Sequence, residues 1–109
     1  MNEYLYLYRG GNPMGSPEEM QKTMKVWMGW FEELGKKGNL KDGGQPLDKG
    51  GKIVKGKSVT DGPFAEKDLV GGYSLVLAKD LAHAAELAKG CPLLQHGGQV
   101  EIRPVLKMG

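Results

Sequence analysis

The chain has 109 residues, 26% of them charged, and a formal net charge of +2, which leaves room for one domain (1–109) with a modest core and no second domain. That charge sets up no basic field of the kind that holds nucleic acid, and no apolar run approaches the roughly 20 residues of a membrane span. The lone Cys91 excludes an internal disulfide and suits a reducing compartment; the opening Met-Asn-Glu lacks the charged and apolar regions of a signal peptide, so a cytoplasmic location is expected.

Residues 4–9 read Tyr-Leu-Tyr-Leu-Tyr-Arg, a strict alternation that predicts a strand with Leu5 and Leu7 on one face and Tyr4, Tyr6 and Tyr8 on the other. A loop rich in turn residues follows over 10–15. Ser16 is then a natural N-cap, Pro17 suits the first helical position, and Glu19 completes a capping box. Met20, Met24, Trp27, Phe31 and Leu34 recur at helical spacing as one apolar stripe, and Gly35 or Gly38 ends the helix behind Lys36 and Lys37. Trp30 lies off that stripe beside Val26, which makes it a candidate for a rim or partner contact.

From Leu40 to Thr60 the chain is rich in Gly, Lys and Asp. It reads as a short strand at 40–41 and a hairpin pairing 52–55 with 57–60 around Gly56. Its lysines have no aromatic interleaving and no phosphate-loop pattern, so a solvated edge that resists aggregation is expected rather than a nucleic-acid surface.

Residues 59–77 hold a compact turn, a charged loop and the most strand-like segment of the chain. Asp61-Gly62-Pro63 breaks the strand that Val59-Thr60 begins, and Phe64 is expected to plug into the core and anchor the loop. Ala65-Glu66-Lys67-Asp68 is polar, and Gly71-Gly72 precedes a strand through Tyr73-Ser74-Leu75-Val76-Leu77. Asp80 caps a second helix over 81–89, Gly90 and Pro92 stop it, Leu93-Leu94 packs beneath the sheet, and 99–106 is the last strand.

The element order is a split βαβ pattern with an added hairpin. A sheet carrying two helices in this order is covered on one face only. The helix-facing set is expected to be Leu5, Leu7, Val100 and Ile102, leaving Tyr4, Tyr6, Tyr8, Glu101, Arg103 and Val105 on the open face. Such a face suits a face-to-face homodimer that encloses a partly polar, tyrosine-lined cavity.

Thr60-Asp61-Gly62-Pro63-Phe64, followed by Glu66 and Gly71-Gly72-Tyr73, resembles the signature of the DGPF subgroup of YCII-related (YciI-like) proteins. The closing Gly98-Gln99-Val100-Glu101-Ile102-Arg103-Pro104 and the Gly38-Asn39-Leu40 after the first helix are similar to the same family. The resemblance implies an α+β fold, ferredoxin-like βαββαβ with an extra hairpin, of the dimeric α+β barrel type. Some relatives use a histidine–aspartate pair with the histidine near the first helix. This sequence has no histidine before His83, so that pair does not transfer, and the carry-over is limited to Asp61 and its neighbours.

Asp61 and His96 are the catalytic candidates: Asp61 as a general base, with a turn carboxylate as its structural alternative, and His96 as a titratable group in a Gly-flanked loop. Tyr6, Tyr8, Phe64, Glu66, Tyr73, Glu101 and Arg103 are the substrate-contacting candidates. Glu101 and Arg103 lie two apart on one strand face, where they can pair laterally or clamp a carboxylate. Asp68 is a further acidic candidate, and His83 is expected to be solvated. The two histidines have no metal-ligand spacing, so no metal or cofactor is expected. The readings are a homodimeric binder of a small molecule, with lyase- or isomerase-like catalysis where Asp61 or His96 acts; a regulatory or interaction module, since DGPF-type proteins are linked with extracytoplasmic-function sigma factors; and a purely structural dimer.

Overall fold

The alternating N-terminal segment forms β1 (Asn2–Gly10). The computed structural model describes residues 1–11, 16–64 and 69–108. After β1 come α1 (Pro17–Lys36), β2 (Leu40–Asp42), β3 (Gly51–Lys55), β4 (Ser58–Gly62), β5 (Val70–Ala78), α2 (Leu81–Ala88), a 3₁₀ turn (Pro92–His96) and β6 (Gly98–Pro104). Strands β2, β5, β1 and β6 form one antiparallel sheet in that order. With α1 and α2 on one side of it, the fold is α+β and ferredoxin-like. Among the described residues, strands β3 and β4 pair only with each other.

The helix ends follow local chemistry. Ser16 Oγ accepts from the Glu19 amide, Pro17 sits at the first turn, and Gly38 takes φ +73° just past the end of α1. Asp80 accepts from the His83 amide at 2.8 Å to start α2. His83 Nδ1 in turn accepts from the Lys79 amide at 3.0 Å, so this histidine serves the helix start.

The two faces of the sheet are the reverse of those expected for β1. Tyr4, Tyr6 and Tyr8 are the buried side, while Leu5 and Leu7 are half-buried on the open side. Tyr6 is fully enclosed: its ring lies parallel to Trp30 at 6.3 Å, and its hydroxyl donates to the Ala84 carbonyl of α2 at 2.5 Å. Tyr8 meets Trp27 edge-on at 4.8 Å and donates to Ser74 Oγ, which donates onward to the Gly43 carbonyl. Alternation shows that two faces exist but not which one is inward. Rings bury more apolar area than leucine, and here the Tyr6 and Tyr8 hydroxyls each have an acceptor, so burying them leaves neither unpaired. Small residues make the room: Gly72, Ser74 and Ala78 on β5, and Ala84 and Ala88 on α2, are all buried. Val100 and Ile102 do face the helices, opposite Tyr8 and Tyr6 in register, while Glu101 and Arg103 lie on the open side.

Trp30 is a core residue, 7% exposed, and not a rim contact. The inward stripe of α1 is Trp27, Trp30, Phe31 and Leu34, which leaves Met20 and Met24 mostly in water. The stripe runs through both tryptophans because their rings pack on the tyrosine layer, which the smaller methionines do not reach. Phe64 is also corrected: it is 67% exposed and does not plug the core. The strand before it runs through Asp61 and Gly62 to break at Pro63, so Phe64 leaves the end of the hairpin outside the core cluster.

Trp30→Ala should lower stability by about 3–5 kcal/mol in denaturant melts, and Phe64→Ala by less than about 1 kcal/mol. Equal losses would put Phe64 back in the core. Burial pushes the Cys91 thiol from its ordinary 9.0 up to about 11, against a backbone hydrogen bond from Leu93 that lowers it. Over that window the folded protein keeps a proton that the unfolded chain releases, so stability should fall as pH rises from 9 towards 11. Cys91→Ala should flatten this decline, and melts of both proteins at pH 8 and pH 10.5 give the comparison. A decline of equal depth in the variant would assign it to the buried tyrosines alone.

Candidate functional site

The open face of the sheet is built by register. Leu5 lies opposite Leu75 and Arg103, Leu7 opposite Tyr73 and Glu101, and Glu3 opposite Leu77. These side chains form a leucine-lined centre, with Tyr73 half-buried beside it and charge around the rim. Lys41 on β2 pairs with Glu3 at that rim.

Arg9 continues the Leu5–Leu7 row at the end of β1. Its Nε donates to Glu101 Oε1 at 2.8 Å, and the other Glu101 oxygen lies 3.9 Å from Arg103. The Arg9 side chain is 23% exposed and that of Glu101 38%, so the pair is partly shielded from solvent. Beside it opens a cleft of about 420 Å³ whose walls are Leu47, Asp48, Gly50, Pro63, Phe64, Leu69 and Val70.

Local chemistry holds those walls in place. Asp42 Oδ1 accepts from the Gly44 amide at 2.8 Å, an Asx turn that bends the chain after β2. Gly44 adopts φ +72°, and a Cβ there would lie 1.8 Å from the Tyr73 carbonyl oxygen, so only glycine lets the loop pass this close to β5. Hydrogen bonds from Leu47 to the Gly71 carbonyl and from Tyr73 to the Gln45 carbonyl then fasten the loop. The Gly10 amide bonds the Leu69 carbonyl, placing Leu69 beside Arg9.

The structure brings together four of the candidate residues read from the sequence. Phe64 forms a cleft wall, Glu101 pairs with the cleft arginine, and Arg103 and Tyr73 lie on the adjoining open face. Tyr6 and Tyr8 lie on the other side of the sheet, in the core. Burial holds both phenols well above the usual tyrosine range, Tyr6 with help from the nearby Cys91 and Tyr8 against a hydrogen bond to Ser74 that lowers it. They act as neutral hydrogen-bond donors. Asp61 is on β4 with its side chain 92% exposed, ion-paired at 2.5 Å to Lys52 across the hairpin. Among the described residues, no amide of the turn that follows bonds to it. His96 is exposed at the end of the 3₁₀ turn. Glu66 and Asp68 lie outside the described residues.

Arg9 is the residue that sequence reading missed. Its signal was the alternation itself: a cation in line with Leu5 and Leu7 shares whichever face those leucines take. Chemically, a half-shielded guanidinium–carboxylate pair beside apolar walls can orient a small molecule with both polar and apolar parts. Among the described residues, no group of three or more His, Cys, Asp or Glu side chains is placed to hold a metal ion. No helix among the described residues is long and apolar enough to cross a membrane.

Comparison with known proteins accords with the fold. A search of curated proteins returns no match. The family model for the YCII-related domain matches residues 3–109, nearly the entire chain. The protein therefore belongs to the YCII-related domain family.

Proposed function

We propose that this protein is a cytoplasmic homodimer of the DGPF type that binds a small molecule in the cleft beside the Arg9–Glu101 pair. The observation that carries this reading is a partly shielded cation, Arg9, in the wall of a largely apolar cleft, bonded to the Glu101 carboxylate. Sites for small ligands commonly combine apolar walls with a few convergent polar groups. Phe64 serves as a wall, and Arg103 and Tyr73 extend the contact surface along the open face. Where the protein acts as a lyase- or isomerase-like enzyme, the carboxylates we place nearest the ligand are Asp48 in the cleft wall and Glu101 on the cleft arginine, because Asp61 stands in solvent on the hairpin.

The dimer reading rests on the open sheet face. Helices cover one side only, and the other presents Leu5, Leu7, Leu75 and Leu77 in adjacent strands. A contiguous apolar patch with a charged rim favours a partner surface over water. A two-fold contact through it leaves the cleft at the edge of the interface. The interaction-module alternative loses Trp30 as a candidate contact, since Trp30 is in the core.

Two measurements test these readings separately. Leu75→Glu should convert dimer to monomer in sedimentation equilibrium with an unchanged far-ultraviolet spectrum; a variant as dimeric as the parent would move the interface elsewhere. A panel of small aromatic and aliphatic carboxylic acids and their amides, titrated into labelled protein, should shift the amide signals of Arg9, Phe64, Leu69, Val70 and Glu101. Arg9→Ala should abolish those shifts. Shifts confined to other residues, or none across the panel, would remove the cleft as the binding site.

A further inference from the structure

Among the described residues, the β3–β4 hairpin is an arm without close cover from its own chain. Register places Val54 directly opposite Val59, and the two side chains stand 67% and 61% exposed. Lys52 and Asp61 bracket the same face. No helix and no third strand packs closely on the arm among the described residues, and only Ile53 and Gly62 in it are even half-buried. A two-stranded hairpin on its own is marginal in water and needs a third strand or a packed face for stability. An ordered arm with a bare valine pair therefore needs a surface that the described residues of its own chain do not supply.

Interface size points to what that surface is. Four strands spaced about 4.8 Å apart and about seven residues long present an open face of roughly 450 Å². A stable protein–protein contact buries about 800 Å² on each partner, so the sheet face alone falls short. The arm, about 17 Å long and 10 Å wide by the same strand dimensions, adds roughly 170 Å². In a two-fold dimer each protomer gains this area twice, once as the arm it extends and once as the surface it lends to the partner's arm. The combined interface then reaches the standard size.

We infer that the β3–β4 arm is an intermolecular clasp, which lays its Val54–Val59 face on a second copy of this chain. This rests on the homodimer reading above and extends it from the open sheet face to the arm. The arm also carries Lys52, Lys55 and Lys57 against the single Asp61, a charge that offers nucleic acid as the competing occupant.

Equal amounts of isotopically heavy and light protein, each carrying a photo-cross-linking benzophenone side chain at position 54, are mixed, allowed to exchange, irradiated and mapped by mass spectrometry. The clasp requires cross-links that join heavy to light peptides. The paired change Val54→Asp with Val59→Asp should weaken the dimer at least tenfold in sedimentation equilibrium, with the far-ultraviolet spectrum retained. A parent dimer whose cross-links stay within one chain, together with an unchanged dissociation constant in the variant, would overturn the clasp and leave the dimer standing. A parent protein that is monomeric at every concentration would overturn both. A variant that loses binding to a fluorescent DNA or RNA duplex while keeping its dimer constant would give the arm to nucleic acid and also refute the clasp.

Discussion

Tyr6 decides the architecture. Its ring stacks on Trp30 of α1 while its hydroxyl reaches the Ala84 carbonyl of α2, so one side chain of the central strand is fixed to both helices. Because strand side chains alternate, that contact sends Tyr4 and Tyr8 inward and Leu5, Leu7 and Arg9 outward. The antiparallel register then carries the choice to β5 and β6: Ser74, Val76, Val100 and Ile102 join the core, and Leu75, Glu101 and Arg103 join the open face. A buried phenol stays in such a place only when its hydroxyl is satisfied, since an unmet donor in the core costs about 1–3 kcal/mol.

The functional surface follows from that commitment. With the aromatic rings on the helix side, the open side is aliphatic at its centre and charged at its rim, a composition closer to an interface between protein copies than to a wet tyrosine-lined cavity. Arg9 lies at the end of the outward row, where the sheet gives way to the loop after β2 and to Pro63 and Phe64 at the end of the arm. The cleft exists because those two segments approach each other across the end of β1. Among the described residues the fold has one sheet face covered by helices and one left open, with an arm projecting from the insertion between β2 and β5. The molecule is correspondingly flat, 46 by 44 by 19 Å.

Much of the fold was legible in the sequence because local rules act over a few residues. Ser16, Asp80 and Gly38 mark helix ends through caps whose geometry the structure repeats, and the alternation at 4–8 announces β1. The family resemblance drawn from the segment around Asp61 and from the last strand also holds for the chain as a whole. What could not be read was the direction of the faces, since an amphipathic ring suits either side until a partner for its hydroxyl is known. The small residues of β5 carried the missing signal: Gly72, Ser74 and Ala78 are complements to rings, but only once the pairing with β1 is given. Trp30 and Phe64 were misplaced for a related reason. Apolar character alone does not tell a residue that meets the ring cluster from one that leaves the end of a hairpin into solvent.

The most direct test of this account is the solvent accessibility of the two sheet faces, measured with methyl-labelled leucine and labelled tryptophan in the presence of a soluble paramagnetic chelate. The Trp30 signals should stay shielded at every protein concentration. The Leu5, Leu7, Leu75 and Leu77 methyls should be shielded at high concentration and become strongly relaxed on dilution, as the copies separate. Relaxation of Trp30, or leucine methyls that are open to the chelate at all concentrations, would contradict the assignment of a tyrosine core and a leucine interface.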